Sequence, residues 1–386
     1  MFKFPWKSRR PKTGKPKGDT IIELKRSELE LDPAAIPLGS QTKRCPKCNR
    51  VFDVKAIICH VDSTLLMLVQ AADAKLDQPI TATCKDETTF EVLCKRSIGN
   101  GSLCEVFDAE NTATQQRHAV KLLSSNLVWD KKSAKRCIRG GEIALSLQHE
   151  NIVKVHGVGT LKSQKGKSLP FMVCDYLEGR QLNELITKDS LPSVHQVLDI
   201  FEQVCFALEY AHAQEITHGD LKPTNIFLVE DGRKLVVKVA DFAVAERLFR
   251  DLEWDKVATM TTSIYGCSTY LSPDFMDVRM PTPTSDIYSV GCMMYECLTG
   301  TPPFTEGNDF AMILAHRDTP PRPFAAEYTP KDVAALVMKA LEKDPRKRWQ
   351  SAAEMRDAIA RAKSALDASS ERLLTREPES EDAETY

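Results

Sequence analysis

The segment His218-Gly219-Asp220-Leu221-Lys222-Pro223-Thr224-Asn225 decides the interpretation of this 386-residue chain. It places the carboxylate of Asp220, the ammonium of Lys222 and the amide of Asn225 on one short loop, at relative positions 0, +2 and +5. A carboxylate can accept a proton, an ammonium can neutralise an anion, and an amide oxygen can bind a hard metal ion. Asp220 alone could serve only to cap a turn, but the three groups together predict phosphate chemistry.

A second carboxylate follows at a defined place. After a short hairpin containing Asp231-Gly232, the β-rich run Leu235 to Val239 leads into Asp241-Phe242-Ala243. A carboxylate at the end of such a strand is suited to Mg²⁺, which takes oxygen ligands. We therefore expect Asp241 to lie beside the loop of Asp220.

The upstream half of the chain supplies groups that suit a phosphate. The segment Ile98-Gly99-Asn100-Gly101-Ser102-Leu103-Cys104-Glu105-Val106 carries two glycines, whose missing Cβ atoms let a backbone turn approach phosphate oxygens. Lys121 follows 20 residues after Gly101 in the apolar strand Ala119-Val120-Lys121, where a lysine needs a charged partner. A nucleotide phosphate is such a partner.

With these motifs in this order, the chain resembles the eukaryotic-type protein kinases that are also found in bacteria, over about residues 90–363. Strand-like alternation comes first and long helical patterns follow, which predicts an α+β fold of two lobes, β-rich and then helical. The resemblance implies transfer of the ATP γ-phosphate to Ser/Thr hydroxyls of proteins, with Mg²⁺ as cofactor. The position of Lys222 resembles that of serine/threonine kinases rather than tyrosine kinases.

The resemblance also assigns roles to single positions. Asp220 accepts the proton of the substrate hydroxyl, and Lys222 steadies the γ-phosphate. Lys121 binds the α- and β-phosphates, while Asn225 and Asp241 hold Mg²⁺. The positions assigned to the nucleotide and its metal, including backbone groups of the hinge between the lobes, are Ile98, Gly99, Gly101, Val106, Lys121, Asp175, Leu177, Asn225 and Asp241.

Further similarities extend into the helical half. Asp286 resembles the buried aspartate that braces the catalytic loop of kinases. Arg348 resembles the late arginine that pairs with a carboxylate, supplied here by Asp274. The segment between Asp241 and Asp274 resembles an activation segment. Its hydroxyls predict autophosphorylation at Thr259, Thr261, Thr262 and Ser263.

The sequence departs from the family where Lys121 needs its partner. The helix glutamate of kinases falls at Gly140, and Glu142 lies two residues on, about 200° round an ideal helix. Either the pair Gly140-Gly141 distorts the helix and Glu142 swings in, or Lys121 lacks its usual ion pair. Gly219 also replaces an arginine that docks a phosphate in the family, and Cys104 replaces the third glycine of the phosphate loop.

A cysteine motif lies ahead of this region. Cys45-Pro46-Lys47-Cys48 is followed after ten residues by Cys59, and a Cys-x₂-Cys turn directs two thiolates at one tetrahedral ion. The pattern resembles short zinc-ribbon-like modules beside some bacterial kinases and predicts a Zn²⁺ site. Asp62, by that resemblance, or His60 would be the fourth ligand. A cysteine cluster without metal is the alternative.

We divide the chain into a basic disordered tail (1–43), a zinc-ribbon-like module (44–66), a linker (67–89), a kinase domain (90–363) and an acidic disordered tail (364–386). Residues 1–17 carry seven basic groups and no acid, which favours a solvated tail, with contact to a membrane surface or nucleic acid as the alternative. The sequence contains no candidate transmembrane segment. Scattered cysteines favour a reducing compartment, and we expect a cytoplasmic protein.

Three functions remain open at this point. An active kinase needs the lysine, the aspartate and both metal ligands, all of which are present. A pseudokinase that binds nucleotide and signals by protein contacts would explain Gly140 and Cys104. A zinc-ribbon nucleic-acid binder would explain the basic N-terminus, but the formal net charge of −2 disfavours it.

Overall fold

The computed structural model describes most of the chain between residues 78 and 374 and short segments before it. The described residues are 30–31, 42–44, 51–53, 67–69, 76, 78–100, 104–123, 131–163, 168–187, 191–232, 234–242, 268–274, 281–325 and 329–374.

A small antiparallel sheet precedes the main domain. Its strands are Glu30–Leu31 (β1), Thr42–Arg44 (β2), Val51–Asp53 (β3) and Met67–Val69 (β4), in the spatial order β1-β3-β2-β4. Strands β2 and β3 pair as a hairpin in which Arg44 lies opposite Val51. The Cys-x₂-Cys motif falls in the connection between these two strands.

This sheet is wider than the predicted module. Strand β1 lies within the expected disordered tail 1–43, and β4 lies within the expected linker 67–89, so neither boundary of the 44–66 module agrees with the strands. Strands of two or three residues show too little alternation to be recognised in a sequence. Cys45, Cys48, Cys59, His60 and Asp62 themselves lie outside the described residues.

Six antiparallel strands then close into a barrel, in the order β10-β8-β7-β6-β5-β9. Alternate side chains of these strands fill its interior, led by Phe107, Val120 and Phe171, each at most 2% exposed. The strands are Ile80–Thr83 (β5), Thr89–Asn100 (β6), Cys104–Asn111 (β7), Arg117–Leu123 (β8), Val155–Lys162 (β9) and Ser168–Asp175 (β10). Strand β5 corrects the predicted linker, because it belongs to the barrel ten residues before the expected start of the domain at residue 90.

One helix, Lys131–Ser146 (α1), packs on the outside of the barrel against β9 and β10. The helix backbone lies close to the strands at Gly141, where an added Cβ would lie 2.9 Å from Val158 Cγ1 and 3.2 Å from Met172 Cγ. A glycine here therefore lets the helix lie directly on the strands. Gly140 is also buried, whereas Glu142 is exposed.

The second lobe is helical apart from one small sheet. Strands Gly179–Gln181 (β11), Ile226–Asp231 (β12) and Lys234–Val239 (β13) form that sheet, and the predicted turn at Asp231-Gly232 joins β12 to β13. The helices are Leu182–Leu185 (α2), Val194–His212 (α3), Pro283–Thr299 (α4), Asp309–Asp318 (α5), Lys331–Ala340 (α6) and Ala352–Leu374 (α7). The predicted α+β arrangement, strands first and helices after, is confirmed.

Local signals in the sequence set the ends of the two central helices. Ser193 and Gln196 form a capping box at the start of α3. Thr282 caps α4, whose first residue is Pro283, and Gly300 ends α4 with a left-handed φ of 75°. Helix α7 continues to Leu374, so the predicted acidic tail from residue 364 begins within a helix. Among the described helices, none is long and apolar enough to cross a membrane.

A buried ion pair joins the segment before α4 to the segment before α7. Arg348 is 1% exposed, and its guanidinium lies 2.7 Å from a carboxylate oxygen of Asp274. The guanidinium also donates to Ser272 Oγ and to the carbonyl of Thr284. Burial would raise the pKa of Asp274, but the charge of Arg348 and hydrogen bonds from serines hold it below its ordinary value. The predicted pairing of these two residues is confirmed.

Arg348→Met should lower the free energy of unfolding by about 3 kcal/mol, because it leaves the carboxylate of Asp274 buried without its cation. Urea denaturation followed by circular dichroism measures this. Arg346→Met is the matched control, since the Arg346 side chain is 88% exposed and pairs with Asp344 at the surface. Its denaturation midpoint should not move, and equal losses in both variants would contradict the importance of the buried pair.

Candidate active site

The loop of Asp220 is held in place from beneath by one carboxylate. Asp286, in the first turn of α4, accepts hydrogen bonds from the backbone N–H of His218 at 2.8 Å and of Gly219 at 2.9 Å. His212 Nε2, at the end of α3, lies 2.8 Å from the same carboxylate. Burial would raise the pKa of Asp286, but the hydrogen bond and charge of His212 keep it below its ordinary value. Asp286 therefore braces the loop, as the resemblance implied.

His218 ties this loop to the end of β13. Its side chain is fully buried, Nε2 donates to the carbonyl of Ala240 at 2.7 Å, and Nδ1 accepts from the N–H of Asp220 at 3.2 Å. The next residue, Gly219, has a φ of 76°, which glycine adopts without strain. His212 and His218 were not among the predicted site residues. The available signal was their position, between the apolar helix α3 and the polar loop of Asp220.

The predicted loop residues converge. Lys222 Nζ lies 2.5 Å from Asp220 Oδ2, and Asn225 Nδ2 donates to the carbonyl of Asp220 at 2.8 Å. The N–H of Ala240 donates to the carbonyl of Asn225 at 2.8 Å, so the start of Asp241-Phe242 is fixed against the loop. One carboxylate, one ammonium and one amide thus share a small volume next to Asp241.

Lys121 reaches this cluster from the barrel. It lies on β8, opposite Val106 on β7 and Met172 on β10, and its Nζ is 2.5 Å from Asp241 Oδ1. Burial acts to lower the pKa of Lys121 and to raise that of Asp241, but their mutual attraction is stronger. The pKa of Lys121 is therefore raised above its ordinary value and that of Asp241 is lowered.

Glu142 does not replace the missing helix glutamate as the partner of Lys121. Glu142 is exposed on α1, and Lys121 pairs with Asp241 instead. Of the two alternatives, the one in which Lys121 lacks the usual helix carboxylate is the one observed. Helix α1 continues through Gly140 and Gly141 without a break. Gly141 lets it pack closely against β9 and β10.

The residues of the hinge lie where the barrel strand β10 leaves for the second lobe. The N–H of Asp175 donates to the carbonyl of Lys154 at 3.0 Å, and its carboxylate lies 2.7 Å from His156 Nε2. Cys174, one residue earlier, is buried against the cleft, and burial raises the pKa of its thiol to about 12. A thiol with so high a pKa is uncharged and acts as an apolar wall.

The phosphate loop is described in part. Ile98, Gly99 and Val106 are half-buried at the ends of β6 and β7, and a Cβ added at Gly99 would make ordinary contact with Val106 at 3.7 Å. Gly101 lies outside the described residues, as do the hydroxyls predicted as autophosphorylation sites. The thiol of Cys104 is desolvated, which raises its pKa to about 12.

Asn225 and Asp241 suit a magnesium ion. Because the Nδ2 of Asn225 is used in the bond to Asp220, its oxygen Oδ1 remains for a cation, and Asp241 retains Oδ2 beside the oxygen that faces Lys121. Two oxygen ligands suit Mg²⁺, which takes its remaining ligands from water and phosphate. Within the described ranges, no group of three or more His, Cys, Asp or Glu side chains is arranged to hold a metal by itself.

Asp286→Asn should lower the free energy of unfolding by about 2 kcal/mol, because the amide cannot accept from all three donors and turns an N–H toward one of them. The same variant should speed amide hydrogen exchange at His218 and Gly219. Asp231→Asn, on an exposed turn, is the control and should change neither quantity. Unchanged exchange at His218 and Gly219 in Asp286→Asn would contradict the bracing role.

Comparison with known proteins identifies a family and a fold. The protein kinase domain family matches residues 93–359, more than half of the chain. The kinase domain of PknI from Mycobacterium tuberculosis superposes with a TM-score of 0.53 at 21% identity, covering 70% of this chain and 95% of that one. At that identity the likeness concerns the fold.

Two curated relatives are closer in sequence. A probable serine/threonine-protein kinase PknB of Corynebacterium glutamicum is 36% identical over 264 residues, which cover 67% of this chain and 40% of the relative. The serine/threonine-protein kinase PknB of Mycolicibacterium smegmatis is 33% identical over 281 residues, covering 72% and 44%. The chain thus spans less than half the length of these relatives. With the family match over residues 93–359 and the fold described above, the chain belongs to the protein kinase family.

Proposed function

We propose that this chain is an ATP-dependent serine/threonine protein kinase. The observation that carries the proposal is the meeting of Lys121, from the barrel, with Asp241, from the helical lobe, at 2.5 Å beside Asp220 and its partners. Such a cluster of opposite charges between two lobes suits a triphosphate with its metal. The curated relatives named serine/threonine kinases support the choice of acceptor.

The residues divide the work by their chemistry. Asp220 accepts the proton of the attacking hydroxyl, and Lys222 shifts from Asp220 to the γ-phosphate as negative charge develops there. Lys121 holds the α- and β-phosphates. Asn225 and Asp241 would hold Mg²⁺, which neutralises phosphate charge and orients the leaving group when it is bound. Catalysis then rests on positioning and on charge neutralisation.

The adenine would lie against the hinge. The N–H of Asp175 is already bonded to Lys154, so its carbonyl, together with the backbone of Leu177, is the group left for the base. Ile98 and Val106 on the barrel side and Cys174 behind them offer apolar surface for the ring. Gly99 and Gly101 would cover the phosphates.

Serine and threonine residues of proteins are the proposed acceptors. Lys222, two residues after Asp220, supports that choice by the family resemblance. We also keep autophosphorylation between Asp241 and Asp274 as a proposal. Gly219 has no side chain to dock a phosphate there, so a phosphate in that segment would not order the loop through residue 219.

A pseudokinase is the second candidate, favoured by Gly140. In that case nucleotide binds to the cleft and signalling occurs through protein contacts, without transfer. The two candidates differ in one measurable event, which is the appearance of labelled phosphate on an acceptor.

Asp220→Asn should reduce transfer of labelled γ-phosphate from Mg-ATP to a generic protein acceptor by a factor of about 10² or more, because the variant loses its proton acceptor. Nucleotide binding should persist, since Asp220 is not assigned to the nucleotide. Asp332→Asn, on the exposed first turn of α6, is the control and should keep wild-type rates. Equal background counts for wild type and Asp220→Asn would favour the pseudokinase.

We propose, separately, that the N-terminal sheet carries a zinc ion bound by Cys45, Cys48, Cys59 and either Asp62 or His60. Support comes from the β2–β3 hairpin, in which Arg44 pairs with Val51, because the Cys-x₂-Cys segment lies between these two residues in the sequence. Such a connection on a small sheet is a common place for zinc ligands. By its strands, this unit spans Glu30 to Val69, and the kinase domain begins near Ile80.

A cytoplasmic location also remains a proposal. The cysteines of the described ranges, from Cys84 to Cys297, are free thiols, as expected in a reducing compartment. Contact of residues 1–17 with a membrane surface or nucleic acid is the alternative to a solvated tail, and it rests on their seven basic groups and on Phe2, Phe4 and Trp6 among them.

Elemental analysis should find about one zinc per chain in the wild type and none after Cys45→Ser, because three remaining ligands hold Zn²⁺ poorly. Cys84→Ser is the matched control, since Cys84 is a free cysteine at the turn between β5 and β6. It should retain the metal. A wild type without zinc, purified in the absence of chelator, would leave a cysteine cluster and exclude the ribbon.

A further inference from the structure

One face of α1 borders a cavity next to Lys121. Ala144 of this helix and Leu147, the residue that follows its last turn, line a cavity together with Lys121, Asp241 and Phe242. Residues at i, i+4 and i+7 share a helix face, so Gly140 belongs to the same stripe as Ala144 and Leu147, one turn toward the helix start. Gly140 is buried, as that placement requires.

No carboxylate lies on that stripe. Its three members are a glycine, an alanine and a leucine, and Glu142 is exposed on another face. Within the described part of the chain, the carboxylate that lies within 4 Å of the Lys121 ammonium is that of Asp241, at 2.5 Å. Lys121 therefore forms its ion pair with Asp241, the carboxylate that is proposed above as a metal ligand.

An ammonium and a metal ion compete for the negative charge of such a carboxylate. While Lys121 contacts Asp241 Oδ1, its positive charge opposes a divalent cation at the same carboxylate. A glutamate on the helix would hold Lys121 away from Asp241, but position 140 offers none. The nucleotide phosphates are then the groups that can attract the ammonium of Lys121 away from Asp241.

We propose that the Lys121–Asp241 ion pair is a latch that makes metal binding conditional on nucleotide. The proposal rests on the proposed function, since it takes Asp241 as a metal ligand and Lys121 as a phosphate ligand. In the latched state Asp241 is neutralised by Lys121 and binds divalent cations weakly. When triphosphate enters, Lys121 transfers to its oxygens and Asp241 is freed for Mg²⁺. Gly140 is the residue that creates the latch.

The test places a carboxylate on the stripe. With the full chain and a ribose-labelled fluorescent ATP analogue, the half-saturating Mg²⁺ concentration for nucleotide binding should fall roughly tenfold in Gly140→Glu, the value of one charge-assisted hydrogen bond. Gly140→Gln has the same shape without the charge and should match the wild type. Glu142→Gln should also match it, because that carboxylate does not reach Lys121.

A second measurement needs no helix variant and no activity. Binding of Mn²⁺ to the nucleotide-free protein, followed by electron paramagnetic resonance, should be weak in the wild type and roughly tenfold tighter in Lys121→Gln, which removes the ammonium. Asp241→Asn should abolish that gain. This measurement also decides the matter if Gly140→Glu does not fold.

The outcomes separate the latch from the function on which it rests. If the wild type binds the analogue at saturating Mg²⁺ but Gly140→Glu and Lys121→Gln leave the metal affinities unchanged, the latch is wrong and the nucleotide site stands. If Gly140→Gln shifts the Mg²⁺ midpoint as much as Gly140→Glu, helix stiffening rather than charge is the cause, which also overturns the latch. If no nucleotide binds at any Mg²⁺ concentration, the proposed function fails.

Discussion

An ammonium and a carboxylate that stand 120 residues apart in the sequence meet at 2.5 Å, and the site depends on that contact. Lys121 belongs to a barrel strand, and Asp241 follows a strand of the helical lobe. Each would be expensive to bury alone, because desolvation opposes the charged form of both. Their attraction shifts both pKa values toward the charged forms, so two opposite charges are kept available in a cleft between the lobes.

The helical lobe supplies a rigid base for that contact. Asp286 fixes the backbone of His218 and Gly219, and His218 in turn bonds the carbonyl of Ala240, directly before Asp241. The position of Asp241 is therefore set by hydrogen bonds that start in the buried helix α4. The barrel, by contrast, holds Lys121 through strand pairing to β7 and β10. Supports from the two lobes therefore converge on one ion pair.

Much of the site could be predicted because its groups lie close together in the sequence, within the loop from His218 to Asn225. The pairing of Arg348 with Asp274, which are far apart in the sequence, followed from family resemblance instead. The partner of Lys121 could not be predicted, because it depends on where α1 lies. Gly141 lets α1 lie against Val158 and Met172, and sequence spacing alone does not reveal such an approach.

The order of a β-rich lobe and a helical lobe was predictable, but the short strands and the ends of the domain were not. Long periodic helices such as α3 were evident, while β5, with four residues, and the strands β1 to β4, with two or three, were too short for alternation to show. Strand β5 completes the barrel by pairing with β6 as a hairpin and with β9, and the contact with β9 is a long-range one that no local pattern encodes. The extension of α7 to Leu374 was missed because the charged residues past position 365 suggested a tail.

A crystal structure of the chain with Mg²⁺ and a non-hydrolysable ATP analogue would show directly whether these groups bind a nucleotide. We expect the metal between Asn225 and Asp241, with Lys121 moved from Asp241 to the α- and β-phosphates and the γ-phosphate facing Asp220. A nucleotide bound elsewhere, or a metal that does not contact Asn225 and Asp241, would contradict this expectation.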